Sequence, residues 1–184
     1  MIEGKNIYLK ALEQNDIDFM LTLVNNQELA YWEGKNEFLK TNESQKEWFL
    51  KNLSTGYRFI IYEKETNLKL GYFSFKYTNS ISKSGLIAIK IIKNSRGKKI
   101  GTDSLKTGMS FLFNKININR LHTHIIDYNL ASLNLFRKCY WVIEGKERKS
   151  IFMNNDYHDN ILLSILKEEY YQNEEIFYLD LFKF

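Results

Sequence analysis

The sequence predicts an α/β (α+β) fold: one domain with a mixed central β-sheet of about seven strands flanked by helices. Three observations predict it. Apolar spacing alternates between a helical period and a strand period, giving the order βαα–βββ–α–β–α–ββ. The three strand-like segments in the middle follow one another before any crossover helix, which makes the first half of the sheet antiparallel. No linker, repeat or low-complexity stretch interrupts the 184 residues, and 44% of them are hydrophobic, enough for one full core.

Each element has its own signal. Residues 7–12 alternate as a first strand. Asn15 or Asp16 can cap a helix whose face is Ile17, Met20, Leu21 and Val24. A second helical stretch covers residues 44–53, and the segment beginning at Trp32 reads as loop. Residues 58–63, 70–77 and 86–92 read as three strands. Leu105, Met109, Leu112 and Phe113 then mark one helix face. Residues 121–126 form a strand, 130–138 a short helix, and 142–153 with 160–166 a closing hairpin. The tail from Lys167 is partly helical and carries Tyr170, Tyr171, Phe177, Tyr178, Phe182 and Phe184. Residues 1–170 are therefore expected to form the domain. Residues 171–184 are expected to be an aromatic extension packed on it or at a subunit contact of a homodimer.

Composition excludes several classes. The net charge of +4 is too small by itself to argue for nucleic acid. Cys139 is the only cysteine, so neither an intrachain disulfide nor a cysteine-based metal site can form, and no metal is expected. No apolar run approaches the roughly 20 residues of a membrane span. The start, Met1–Lys5, lacks a signal-peptide core, so a cytoplasmic protein is expected. There is no proline, and turns fall to Asn, Gly, Asp and Ser.

The strongest local signal runs from the strand ending at Ile91 and Ile92 through Lys93, Arg96, Gly97, Lys98, Lys99 and Ile100 to Gly101 and Thr102. A strand-to-helix junction aims unpaired backbone N–H groups at one spot, and the helix dipole favours an anion there. Gly97 and Gly101 permit the turn and a close approach. An ordinary solvated basic turn would have the same composition. A Walker loop and a dinucleotide fingerprint are both absent.

These residues resemble the signature Q/R-x-x-G-x-G/A of the GNAT N-acetyltransferases, with Lys99 standing where a further glycine is usual. A negative φ at Lys99 is expected to accommodate the change. A second stretch, Asn129 to Trp141, resembles the family's N-x-x-S-x-x-L-Y-x-K-x-G-F, with Phe136 for Tyr, Tyr140 for Gly and Trp141 for Phe. Later segments look like the branch that contains ribosomal-protein (Rim-type), polyamine and amino-sugar acetyltransferases. The resemblance spans residues 6–170.

The resemblance implies a GNAT fold and acetyl-CoA as co-substrate. It implies that residues 93–102 bind the pyrophosphate and that a backbone amide near Ile91 holds the thioester oxygen. Asn129, with Asn134 and Lys138 of the same motif, is expected to bind the cofactor. Asn129 would do so at the pantetheine arm, though it also reads as a helix cap. Phe136 cannot protonate the leaving thiolate, which leaves Ser132, Tyr140 or water. For the base, His124, His122, Glu33 and a water relay are open. The expected acceptor is a small primary amine or amino sugar-nucleotide, ahead of a protein N-terminus. A non-catalytic CoA-binding module is the alternative, and nucleic acid and membrane partners are not expected.

Overall fold

The computed structural model describes residues 1–35, 39–52 and 54–173. It contains eight strands in one sheet: β1 (Ile2–Glu3), β2 (Ile7–Ala11), β3 (Gly56–Glu63), β4 (Lys69–Asn79), β5 (Ser84–Ile91), β6 (Arg120–Ile126), β7 (Val142–Met153) and β8 (Asp156–Leu166). Their spatial order is β1-β2-β3-β4-β5-β6-β8-β7. All neighbours pair antiparallel except β5 and β6, which run parallel. The mixed sheet and its antiparallel first half follow the sequence pattern. The strand count exceeds the expected seven because β1 spans only two residues, too short to show a period.

The helices are α1 (Ile17–Val24), α2 (Gln27–Trp32), α3 (Asn42–Asn52), α4 (Ile100–Ser110) and α5 (Leu130–Lys138). Residues 167–173 are also helical, and the rest of the aromatic tail lies outside the described residues. Helix α2 ends at Trp32, where the expected loop begins, and occupies residues to which the sequence pattern assigned no element. Its six residues are too few to show a helical period, yet Asn26 caps it by accepting the Leu29 N–H at 3.0 Å. Strand β8 also starts earlier than residue 160, at Asp156 directly after the Asn154–Asn155 turn.

Two apolar layers sandwich the sheet. On one face α4 and α5 cover Ile61, Phe73, Phe75, Ile87, Leu121 and Ile125, with Leu105, Met109 and Phe136 completing the main core. On the other face α1, α2 and α3 cover Ile60 and Tyr72 with Met20, Leu23 and Leu29. The seat of α4 depends on Gly108, where an added Cβ would stand 2.3 Å from the Phe73 ring. Phe73 is fully buried and cannot swing aside. Gly108→Ala should therefore destabilise the fold by about 2–3 kcal/mol, the usual cost of overpacking. Urea unfolding checks this, and an unchanged midpoint would mean that α4 slides without cost.

Candidate active site

The site begins where the parallel pair fails. β5 and β6 pair only from Ser84–Leu86 to Arg120–His122, although the strands continue to Ile91 and Ile126. Beyond that point they splay. On its other side β5 stays paired to β4, and the Ile92 N–H still reaches Leu70 O at 2.9 Å. Alternation then turns the N–H groups of Ile89 and Ile91 towards the splay. Two contacts mark that same side. Thr123 Oγ1 donates to Ile87 O at 3.1 Å, and Arg96 Nε donates to Ile91 O at 3.1 Å.

The expected phosphate loop sits at the open end of this splay. Residues 93–95 form a 3-10 turn, Gly97 takes φ 77°, and α4 starts at Ile100. Asp103 makes the first bond to Lys99 O, at 2.9 Å. The N–H groups of Ile100, Gly101 and Thr102 precede it, and no side chain caps them. They form a donor cluster at the positive end of an 11-residue helix, with Lys98 and Lys99 exposed beside it. Lys99 corrects the sequence expectation: its φ is 62°, not negative. The left-handed turn is kept without glycine, at a cost of about 1–2 kcal/mol. Tyr140, the other replacement of a family glycine, does the same with φ 64°.

Arg96 and Lys93 do not stand free. Both meet Glu28 of α2, at 2.7 and 3.4 Å. The Arg96 hydrogen bond, followed by the two cations' charges, holds the Glu28 carboxyl below its usual range. This clamp ties α2 to the loop. No local pattern announces it, because six residues are too few to mark α2.

Helix α5 forms the opposite wall. A Cβ on Gly101 would meet Leu135 Cδ2 at 3.4 Å and Ile91 Cγ1 at 4.0 Å, so the three residues bound one narrow groove. Asn129 opens α5 and accepts the Ser132 N–H on Oδ1 at 3.1 Å, the expected cap. Its Nδ2 donates to Trp32 O at 2.7 Å, while Tyr128 OH donates to Tyr31 O at 2.6 Å. The end of α2 is thus latched to the start of α5. Ser132 is half-buried on the first turn of α5, and Asn134 and Lys138 lie exposed on the same helix. Phe136 is 2% exposed, its ring edge-on to Trp141 at 4.8 Å.

The candidate bases lie across the sheet from α4 and α5. Leu121 and Ile125 point into the core, so His122 and His124 face the α1–α3 side. His124 is exposed and its Nδ1 lies 3.4 Å from Asn160 Nδ2. Glu33, just past α2, is engaged by two ammonium groups: Lys90 at 2.7 Å and Lys35 at 3.0 Å. Lys90 is on β5 and its side chain is 14% exposed, so this pair is largely withdrawn from water. The splay therefore lies between the uncapped start of α4 and a polar face carrying histidines and ion pairs. Such an arrangement suits a long, phosphate-bearing donor on one side and an acceptor on the other.

Known proteins share this construction. The profile of the acetyltransferase (GNAT) domain matches residues 6–140. A spermidine N(1)-acetyltransferase of Vibrio cholerae is 25% identical over 175 residues, covering 94% of this chain and 99% of its own. The solved structure of a spermidine N-acetyltransferase from Vibrio cholerae, in complex with CoA and spermine, superposes with a TM-score of 0.84 at 22% identity, covering 90% of this chain and 98% of that one. A GNAT-family acetyltransferase from Bacillus anthracis superposes with a TM-score of 0.78 at 17% identity, over 91% of this chain and 99% of that one. With the splayed strands, the uncapped start of α4 and the profile match over most of its length, this chain belongs to the GNAT family of acetyl-CoA-dependent N-acetyltransferases.

Proposed function

We propose that the enzyme acetylates a small primary amine by direct attack within a ternary complex, and that the acceptor is of the polyamine class. The observation that supports direct attack is the splay of β5 from β6, with donor N–H groups on one side and the histidine face on the other. The N–H groups of Ile100, Gly101 and Thr102, with Lys98 and Lys99, hold the pyrophosphate. The Ile89 and Ile91 N–H groups polarise the thioester oxygen, already oriented by the pairing of β5 with β4. Asn129, Asn134 and Lys138 border the rest of the donor. Polyamine acceptors are supported by the two Vibrio cholerae relatives above, which are named for spermidine.

One observation favours a second acceptor reading, an amino sugar-nucleotide. Carboxylates on the acceptor face already hold internal cations, Glu33 with Lys90 and Lys35, and Glu144 with Arg120. That arrangement weakens the field a polycation would use and leaves lysine and arginine for a phosphate. Thiol release measured over a panel of spermidine, spermine, simple monoamines and amino sugar-nucleotides separates the two. Turnover with none of them would reject both.

Acetyl-CoA at a hundredfold excess over its dissociation constant should stabilise the fold by about 2.7 kcal/mol. Gly101→Val fills the gap to Leu135 and should abolish that gain while the variant stays folded. Normal CoA binding by Gly101→Val in calorimetry would place the phosphate site elsewhere.

Phe136 supplies no proton, so Ser132, one helical turn away on α5, is proposed to protonate the thiolate. Ser132→Ala should lower turnover about tenfold, or ~1.4 kcal/mol, with acetyl-CoA binding unchanged. Unchanged turnover would leave that task to Tyr140 or water.

A further inference from the structure

The chain has three histidines, and all of them stand on the acceptor face of β6 and β8. Their partners differ in ways that decide what each can do. His158 turns Nδ1 towards Asp127 Oδ1 at 3.3 Å and lies edge-on to Tyr128. It packs beside the residues at the base of the α2 latch.

His124 is set by its neighbours. Asn160 Nδ2 donates to Glu147 Oε2 at 3.3 Å and lies 3.4 Å from His124 Nδ1. A carboxylate only accepts, so Glu147 requires Asn160 to present its NH2 group on this side. That group also faces His124 Nδ1, so this nitrogen is already engaged by Asn160.

His122 has no such commitment. Its Nδ1 is buried and has no hydrogen-bond partner among the described residues. It stands opposite Leu86, where the β5–β6 ladder ends and the splay begins. The groups around it are Arg120 and His124 on β6, Glu144 on β7 and Ser164 on β8. Glu144 is already occupied, by Ser164 Oγ at 2.6 Å and Arg120 Nη2 at 2.5 Å. Among the described residues around His122, Glu144 is the one carboxylate, and its oxygens are already engaged.

We propose that His122, rather than His124, takes the proton from the acceptor amine. This rests on the direct-attack reading above. The amine nitrogen bonds to the acetyl carbon as the carbon–sulfur bond breaks. The amine proton passes to the His122 ring and from there to solvent, and the thiolate is protonated on α5 or by water. Burial first, then the charge of Arg120 and that of a protonated His124, lower the proton affinity of His122, against a smaller opposing pull from Glu144. A lowered value keeps the ring neutral at neutral pH and able to accept, and it becomes protonated only under more acidic conditions than an ordinary histidine.

The test is the pH profile of kcat/KM for the acceptor in the wild type, His122→Gln and His124→Gln, with acetyl-CoA affinity and Tm measured alongside. In His122→Gln, kcat/KM should fall about a hundredfold near pH 7, within the usual range for loss of a general base. The acid limb should disappear, the deficit should shrink at high pH where the amine is less protonated, and acetyl-CoA affinity should hold. His122→Asn gives the same readout if Gln is not tolerated. His124→Gln should keep the acid limb and lose less than His122→Gln. A wild-type profile in both His122 variants, or a larger loss and a vanished limb in His124→Gln, overturns the proposal. If the wild type binds acetyl-CoA but acetylates no amine, the direct-attack reading fails and this inference with it.

Discussion

The structure turns on one unmade ladder. Backbone N–H groups buried in a sheet must find acceptors, and nearly all do. In β5 the donors facing β6 are left without a strand beyond Leu86, while those facing β4 stay paired to the end. The chain thus holds aimed backbone donors at the splay between the two strands. A ligand oxygen can complete what β6 does not. The cost of orienting those donors is met during folding, which is the condition for strong electrostatic stabilisation in a reaction.

The packing exists to hold that gap open. α4 is pinned to β4 by the contact of Gly108 with Phe73, and its start is tied to the N-terminal segment by Asp103, which accepts the Lys5 and Asn6 N–H groups at 2.9 and 2.5 Å. α5 is joined to α4 through Phe136, Trp141 and Met109, with Trp141 Nε1 3.4 Å from Met109 Sδ. Cys139 sits in the same core, where burial pushes its thiol up to about 11, so it has no nucleophilic part. From the other face, Glu28 grips the loop and Trp32 O grips Asn129. Both walls of the groove are therefore coupled to α2, the element that also carries the acceptor side.

Much of this was legible in the sequence. The change of period marked the strands and α4, and the order of three strands before the crossover gave the mixed sheet. The strand-to-helix turn of residues 91–102 was legible because such a junction is a local device, written in contiguous glycines and cations. The rest was hidden for reasons of range. Glu33 meets Lys90, and Glu28 meets Arg96, across long separations that no local pattern encodes. Alternation placed His122 and His124 on one face, but their different surroundings come from Asn160, Glu147 and Glu144 on two other strands. Lys99 and Tyr140 show the converse. The family's glycines are gone, yet φ of 62° and 64° persists, because the surrounding fold imposes the turn.

Amide hydrogen exchange with and without saturating acetyl-CoA tests the central claim most directly. If the unpaired donors of β5 and α4 are the cofactor site, protection should rise in residues 89–102 and on the groove side of α5, and stay unchanged in the β7 edge strand. Acetyl-CoA binding that leaves residues 89–102 unprotected would contradict the account.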